Sequence, residues 1–437
     1  MFAKHALASV SAYAAHAPQD REEGVIELEV AGLDGEGFRV RVVRSMRGSE
    51  LRKLLNDRLP PKAGARICLQ KGFEMISLQK SLKEQGIDED ARITYVYMPA
   101  SLSESFRCIL GLPVEDEGHA MEGTTRLEGM RTLDQLRKLP NSLQSLSLSG
   151  EFNQNLDRVT LPSNLQSLTF GSDFNQSLDK ISLPSGLLNL TFGSGFNQTL
   201  ERVTLPMSLQ SLTLSGVFNQ SLDRVTLPQG LQSLTFGWNF NRSLQEVTLP
   251  FSLQHLTFGW DFDRSLDGVT LPESLQSITF GAGFKKSLER VAFPSSLKSL
   301  TLGGGYNQSL ERVALPTGLQ SLKLGSFFNQ CLKAVTFPTE LQSLTFDNCF
   351  NQSLEQVTLP PRLHHLTFGS EYNQSLEGVV LPSSMQSLTF GWDFNRSLER
   401  VAWPFNLQFL TFGNGFNQSL EGVNFPDNLK SFVRQSL

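Results

Sequence analysis

Along the carboxyl-terminal two thirds of the chain, apolar and polar residues alternate in one repeated order. In the stretch from Leu183 to Thr204, LPSGLLNLTFGSGFNQTLERVT, apolar side chains fall at Leu187, Leu190 and Phe192, then at Phe196, then at Leu200 and Val203, with Leu205 opening the next unit. The first and last of these runs each end in two apolar residues spaced by two, the period of a strand whose alternate side chains turn inward. The pattern predicts two short strands per unit, with polar residues between them facing outward.

Proline punctuates this pattern. Fourteen prolines stand 22 residues apart, from Pro140 through Pro162 and Pro184 to Pro426. A fixed period of this length marks units that cannot bury an apolar face alone and must stack. Pro184 has no N–H and holds φ near about −65°, so it should end the second strand and bend the chain. Gly171, Gly193, Gly237 and Gly259 should end the first strand, where a tight bend or a positive φ is easiest without a Cβ. The pairs Phe174-Asn175, Phe196-Asn197, Phe218-Asn219 and Phe240-Asn241 predict a ring filling each corner. The asparagine should bond loop backbone or the asparagine of the next coil, since polar groups inside a stack need partners.

The whole pattern, L-P-x-x-L-x-x-L-x-F-G-x-x-F-N-x-x-L-x-x-V-x, resembles the FNIP repeat, a 22-residue relative of the leucine-rich repeats, over residues 140–437 as thirteen full units and a final half unit. The resemblance implies a right-handed leucine-rich-repeat-like β-solenoid that serves as a protein-interaction surface. It implies no chemistry. Coils stacked as strands should lie about 4.8 Å apart.

Columns of equivalent residues can then be read as surfaces. An acidic column (Asp179, Glu201, Asp223, Glu289, Glu311, Glu355, Glu377, Glu399, Glu421) runs beside a basic one (Arg158, Lys180, Arg202, Arg224, Arg290, Arg312, Arg400). Together they read as a solvated surface whose charges offset one another. A glutamine column through Gln166, Gln210, Gln232, Gln276 and Gln320 predicts a ladder of side-chain amides. Threonine columns at Thr169, Thr191 and Thr213 and at Thr204, Thr226 and Thr248 give regularly spaced hydroxyls, which admits an alternative reading as an ice-binding-like rod.

Binding should sit where coils differ. The residue after the strand-ending glycine is mostly small or polar, as at Ser172, Ser194 and Ala282, but it is tryptophan at Trp238, Trp260 and Trp392. Trp238 and Trp260 lie one coil apart, with Asp261, Asp263 and Arg264 beside them, a composition usual in binding hot spots. The competing reading folds these indoles back over the corner phenylalanines. Lys285-Lys286 replaces Asn-Gln, and Lys333 and Cys331 depart from the acidic and serine columns, with no chemical partner evident for either substitution.

Residues 25–98 do not repeat. Val25–Val30 and Phe38–Val43 alternate around Asp34-Gly35-Glu36-Gly37 and predict a hairpin. Ser49–Leu59 predicts an amphipathic helix, and strands are expected at Arg66–Gln70 and Ile93–Tyr97. This order is similar to ubiquitin, with Leu82 and Gln85-Gly86-Ile87 near the place of its L-x-x-Y-x-I segment, though without the tyrosine. The resemblance implies an embedded α+β ubiquitin-like roll that ubiquitin receptors would recognise around Arg66, Ile67, Cys68 and Lys71. The expected organisation is a flexible tail over 1–24, a ubiquitin-like domain over 25–98, a linker and amino-terminal cap over 99–139, with an acidic Glu115-Asp116-Glu117, and the solenoid over 140–437.

The net charge of −5 includes no strongly basic domain, so nucleic acid is not an expected partner. No run of about 18 apolar residues marks a membrane span. Cys68, Cys108, Cys331 and Cys349 lack metal or disulfide-module spacing. The Asn-x-Ser/Thr corners would accept glycans after secretion, which favours an intracellular, cytoplasmic protein. His364-His365 has no second cluster to join, and no phosphate loop or nucleophile elbow occurs. The expectation is a non-enzymatic scaffold or adaptor with protein partners and no cofactor or metal.

Overall fold

The computed structural model describes residues 25–32, 37–43, 45–46, 50–51, 54–55, 65–71, 74–75, 82, 92–99, 124–157 and 159–434. The expected tail over 1–24, most of the linker with Glu115-Asp116-Glu117, the stretch Gln85-Gly86-Ile87 and Arg158 lie outside these residues. Two compact units divide the chain, residues 1–120 and 121–437.

The first unit holds strands β1 (Val25–Gly32), β2 (Gly37–Val43), β3 (Ala65–Lys71), β4 (Glu74–Met75) and β5 (Arg92–Pro99). Their order in the sheet is β2-β1-β5-β3-β4, with β1 and β5 parallel and the other pairs antiparallel. Leu28 and Val30 of β1 and Val40 and Val42 of β2 are buried, as period-two alternation predicts, together with Leu51 and Leu55 from the helical turn and Leu82.

The second unit is a right-handed parallel β-solenoid of about 14 turns with coils of about 22 residues. Its sheet has fifteen strands in sequence order. The first strand, β6 (Arg126–Met130), precedes the proline period and pairs irregularly with Ser145–Leu148. A short helix, Leu133–Leu136, follows it, closed by a capping box in which Gln135 N–H donates to Thr132 Oγ1 and Gln135 Oε1 accepts the Thr132 N–H. Leu127, Met130 and Leu136 are buried there.

Each coil contains one strand, not two. In the unit beginning at Leu183 the strand is Asn189–Phe192, with Leu190 and Phe192 inward, and it pairs in strict 22-residue register with its neighbours. The run Leu200, Val203, Leu205 is also buried, but it forms a turn closed by Val203 N–H donating to Leu200 O. The bonding between coils differs at the two runs. Strand-end rings stack at 5.2 Å for Phe170 and Phe192, whereas the corner rings Phe174, Phe196 and Phe218 stack at 6.1 Å. Among the described residues no main-chain bond joins consecutive coils across the Leu200–Leu205 run, so it carries no ladder.

Where coils separate, side chains bridge them. Asn175 Oδ1 accepts the backbone N–H of Asn197 at 2.9 Å and Asn197 Oδ1 accepts that of Asn219 at 2.9 Å, the expected asparagine ladder. Next to it, Gln198 Nε2 donates to Asn175 Oδ1. Ser208, Ser274 and Ser296 donate to leucine carbonyls of the preceding coil at 2.7–2.8 Å.

Two expectations change their mechanism. The glutamine column is joined through its main chain: Gln144 O accepts the N–H groups of Gln166 and Ser167, and Lys298 and Ser299 donate to Gln276 O in the same way. Among the described residues no amide-to-amide bond links these glutamine side chains. The strand-ending glycines, in turn, are required by close approach: a Cβ on Gly193 would lie 2.0 Å from Gly171 O, and one on Gly259 would lie 1.8 Å from Gly237 O. None of the strand-ending glycines has positive φ; Gly216, one position after the Ser215 that takes the glycine place, does.

Candidate protein-interaction edge

The loop after each strand packs its main chain under the next coil. Trp238 O accepts the Asp261 N–H at 2.7 Å, Trp260 O accepts the Gly283 N–H at 2.6 Å, and Trp392 O accepts the Gly415 N–H at 2.9 Å. The backbone on both sides is pinned, since the glycine before each tryptophan lies against the main chain of the preceding coil. The three side chains are exposed, Trp238 by 74%, Trp260 by 64% and Trp392 by 51%. None of them makes a ring contact with the corner phenylalanines among the described residues, so the indoles do not stack on those rings.

Asp261 is exposed beside Trp260, but Asp263 and Arg264 are tied into the stack. Asp263 replaces a ladder asparagine: its N–H donates to Asn241 Oδ1 at 3.1 Å, and its own Oδ1 accepts the Lys285 N–H at 2.9 Å. Its Oδ2 pairs with Lys286 Nζ at 3.3 Å. The two lysines thus do have a partner, but the Lys285 side chain has no acceptor to offer, so among the described residues the ladder stops there and resumes where Asn307 Oδ1 accepts the Asn329 N–H. Arg264 Nε donates to Asn241 O at 3.0 Å.

One signal escaped the column reading. Every tryptophan of this edge is followed four residues later by arginine, at Arg242, Arg264 and Arg396, and no other coil carries arginine there. Arg242 Nε donates to Asn219 O and Arg396 Nε to Asn373 O, each at 2.8 Å. Counting covariation between columns within this one sequence would have found the pair.

The outer charged columns compensate diagonally. Lys180 meets Asp157, Arg224 meets Glu201 and Arg400 meets Glu377, each cation pairing with the acid of the preceding coil at 3.0–3.2 Å. The Glu377 carboxylate holds the Arg400 guanidinium above its usual range, through its hydrogen bond and its charge. Serine or threonine before this column accepts the acid's backbone N–H, as Thr199 does from Glu201 at 3.1 Å. Cys331 occupies that place and is exposed. Burial, the hydrogen bond to Glu371 and the nearby carboxylates push the Cys349 thiol up, away from the reactive thiolate.

The Thr169–Thr191–Thr213 column lies in register on the sheet, while Thr204, Thr226 and Thr248 are exposed outside any strand, so the two hydroxyl columns share no flat face. His364 and His365 have ring centroids 6.3 Å apart. Among the described residues no group of three or more His, Cys, Asp or Glu side chains could hold a metal ion. In the first unit, Arg66, Ile67, Cys68 and Lys71 all lie on β3, opposite Met98, Tyr97, Val96 and Ile93 of β5.

Comparison with known proteins places this geometry. The FNIP Repeat family matches residues 136–415 in overlapping stretches. Among solved structures, the chain is similar to CroV588, described as a novel circular LRR protein, at 36% identity and a TM-score of 0.61, over 68% of this chain and 50% of that one. This chain thus aligns with half the length of that relative. It also shares its fold with an internalin, InlF of Listeria monocytogenes, at 16% identity and a TM-score of 0.50, over 77% of this chain and 96% of that one. No curated protein matches it. With a family match that spans well over half of its residues, the chain belongs to the FNIP-repeat proteins.

Proposed function

We propose that this protein is a non-enzymatic interaction scaffold whose solenoid binds a protein partner along the Trp238–Trp260 edge. The observation that carries this reading is the pair of exposed indoles on consecutive coils, each standing on a backbone pinned by the neighbouring coil. Large aromatic surface on a rigid support loses little conformational freedom on binding. Trp392 with Asp393 and Arg396 repeats the composition farther along the array. Affinity capture with the full chain should lose its array-dependent partners in the double variant Trp238→Ala, Trp260→Ala. Capture unchanged by that variant would return the tryptophans to a purely structural role.

The first unit is a ubiquitin-like domain in this reading, linking the scaffold to the ubiquitin pathway. Support comes from the strand order β2-β1-β5-β3-β4, from the parallel central pair, and from the helical residues that follow the hairpin. Titration of the full chain with a ubiquitin-receptor domain tests it, with binding expected and lost on Ile67→Ala. An intracellular location follows the same line, because the corner asparagines whose Oδ1 atoms bridge coils are also the glycan acceptors. No helix among the described residues is long and apolar enough to cross a membrane.

A further inference from the structure

At the position two after each corner ring, most coils carry glutamine, but three consecutive coils carry Arg242, Arg264 and Lys286, bounded by Gln220 on one side and Gln308 on the other. We infer that this basic row, with the indoles of Trp238 and Trp260 beside it, receives an extended acidic segment of a partner protein whose carboxylates stand at alternate positions. The inference rests on the reading of the tryptophan edge as a protein-binding surface, and it names the chemistry of the partner.

Spacing is the first argument. The corner rings that precede these residues, Phe240, Phe262 and Phe284, are stacked at 6.1 Å per coil. Side chains on one face of an extended peptide recur about every 6.6 Å, twice the rise per residue of a strand. Carboxylates at i, i+2 and i+4 of a peptide running along the solenoid axis therefore meet the three cations nearly in register.

Preorganisation is the second. Nε of Arg242 is bound to Asn219 O and Nε of Arg264 to Asn241 O, so the guanidinium groups are held one coil apart before any ligand arrives. Both side chains are exposed, and neither forms an ion pair among the described residues. This contrasts with Lys180, Arg224 and Arg400 of the outer column, each matched by an acid of the preceding coil. Lys286 pairs with Asp263 across an exposed contact, which an incoming carboxylate can share.

Length decides between a peptide and a nucleic acid. A polynucleotide carries charge on every residue and would overrun the row onto the neutral Gln220 and Gln308, with the exposed Asp261 carboxylate nearby. A short acidic motif ends where the row ends.

The test measures fluorescence anisotropy of the full chain with three labelled probes: a peptide alternating glutamate with leucine and threonine, a peptide of the same composition with its glutamates consecutive, and an oligothymidylate. The alternating peptide should bind best, with affinity falling as salt rises. The triple variant R242Q, R264Q, K286Q installs the residue that neighbouring coils carry, whose amide bonds the preceding corner residue as Gln198 and Gln220 do, and should weaken binding at least ten-fold. Equal binding of the alternating peptide to that variant, no preference between the two peptides, or tighter binding of the oligothymidylate would each overturn the inference. Loss of captured partners in Trp238→Ala, Trp260→Ala but not in the glutamine variant would leave the edge reading standing and remove only the acidic segment. Loss in the glutamine variant alone would instead remove the tryptophans from the site.

Discussion

Asp263 and Lys286 form an ion pair at 3.3 Å across consecutive coils, while the other oxygen of the same carboxylate accepts the Lys285 backbone N–H at 2.9 Å. One aspartate thus carries the ladder as far as Lys285 and offsets the charge of the coil where it breaks. Asp263→Asn keeps the acceptor and loses only an exposed pair, so unfolding in urea should shift by less than about 1 kcal/mol. Asp263→Ala removes the acceptor of the exposed Lys285 N–H as well as the ion pair and should cost about 0.5–1.5 kcal/mol more than Asp263→Asn. Equal effects of the two substitutions would show that the ladder bond contributes nothing.

Two glycines separate crowding from backbone conformation. A Cβ at Gly193 would collide with Gly171 O at 2.0 Å, so Gly193→Ala must push neighbouring coils apart and should destabilise by more than about 3 kcal/mol. Gly268 has φ +78 with nothing within 4 Å of the added Cβ, so Gly268→Ala should cost about 1–2 kcal/mol, from the left-handed conformation alone. Circular dichroism melts of both variants check the order, and a larger loss for Gly268→Ala would refute the close-approach account.

Tyr306 and Tyr372 replace phenylalanine in the corner stack, and their hydroxyls are buried without a hydrogen-bond partner. Tyr306→Phe or Tyr372→Phe should therefore raise stability by about 1–2 kcal/mol. Burial also pushes both phenols well above the ordinary tyrosine range, with the Glu289 charge adding to the effect at Tyr306. Above about pH 10 the unfolded chain loses these protons while the folded chain keeps them, so stability falls as pH rises through that range. The double phenylalanine variant should show a shallower alkaline decline, measured by urea titrations between neutral pH and the onset of base denaturation.

Cys331 interrupts the hydroxyl column that caps the acidic residues. Cys331→Ser supplies the stronger acceptor found at Ser309 and Ser353, each of which accepts a glutamate N–H at 3.1 Å. The change should stabilise the neighbouring turn by about 0.5–1.5 kcal/mol. Faster hydrogen exchange at Lys333 in the serine variant would contradict it.

Much of this fold was legible in one unit of sequence. The alternation of Leu190 and Phe192, the corner position of Phe196 and the reach of Asn197 to the next coil follow from period, size and the need to satisfy polar groups. The exposed indoles were legible only as two competing outcomes. Which one holds depends on whether the main chain before Trp238 leaves space beneath the next coil, a property of adjacent coils together.

By itself the sequence determined the period, the buried columns and the places where the array breaks its own rule, because burial and spacing are local and repeat with the residues that cause them. Only the tertiary structure decided that each coil has one strand, that Gly193 serves contact and not curvature, and that Lys286 has Asp263 as its partner. Each of these depends on the distance between neighbouring coils, which is short enough at the sheet for main chain to bond main chain. From the corner ring to the next proline no main-chain bond joins consecutive coils among the described residues, and Asn175 Oδ1 reaches the Asn197 N–H in its place.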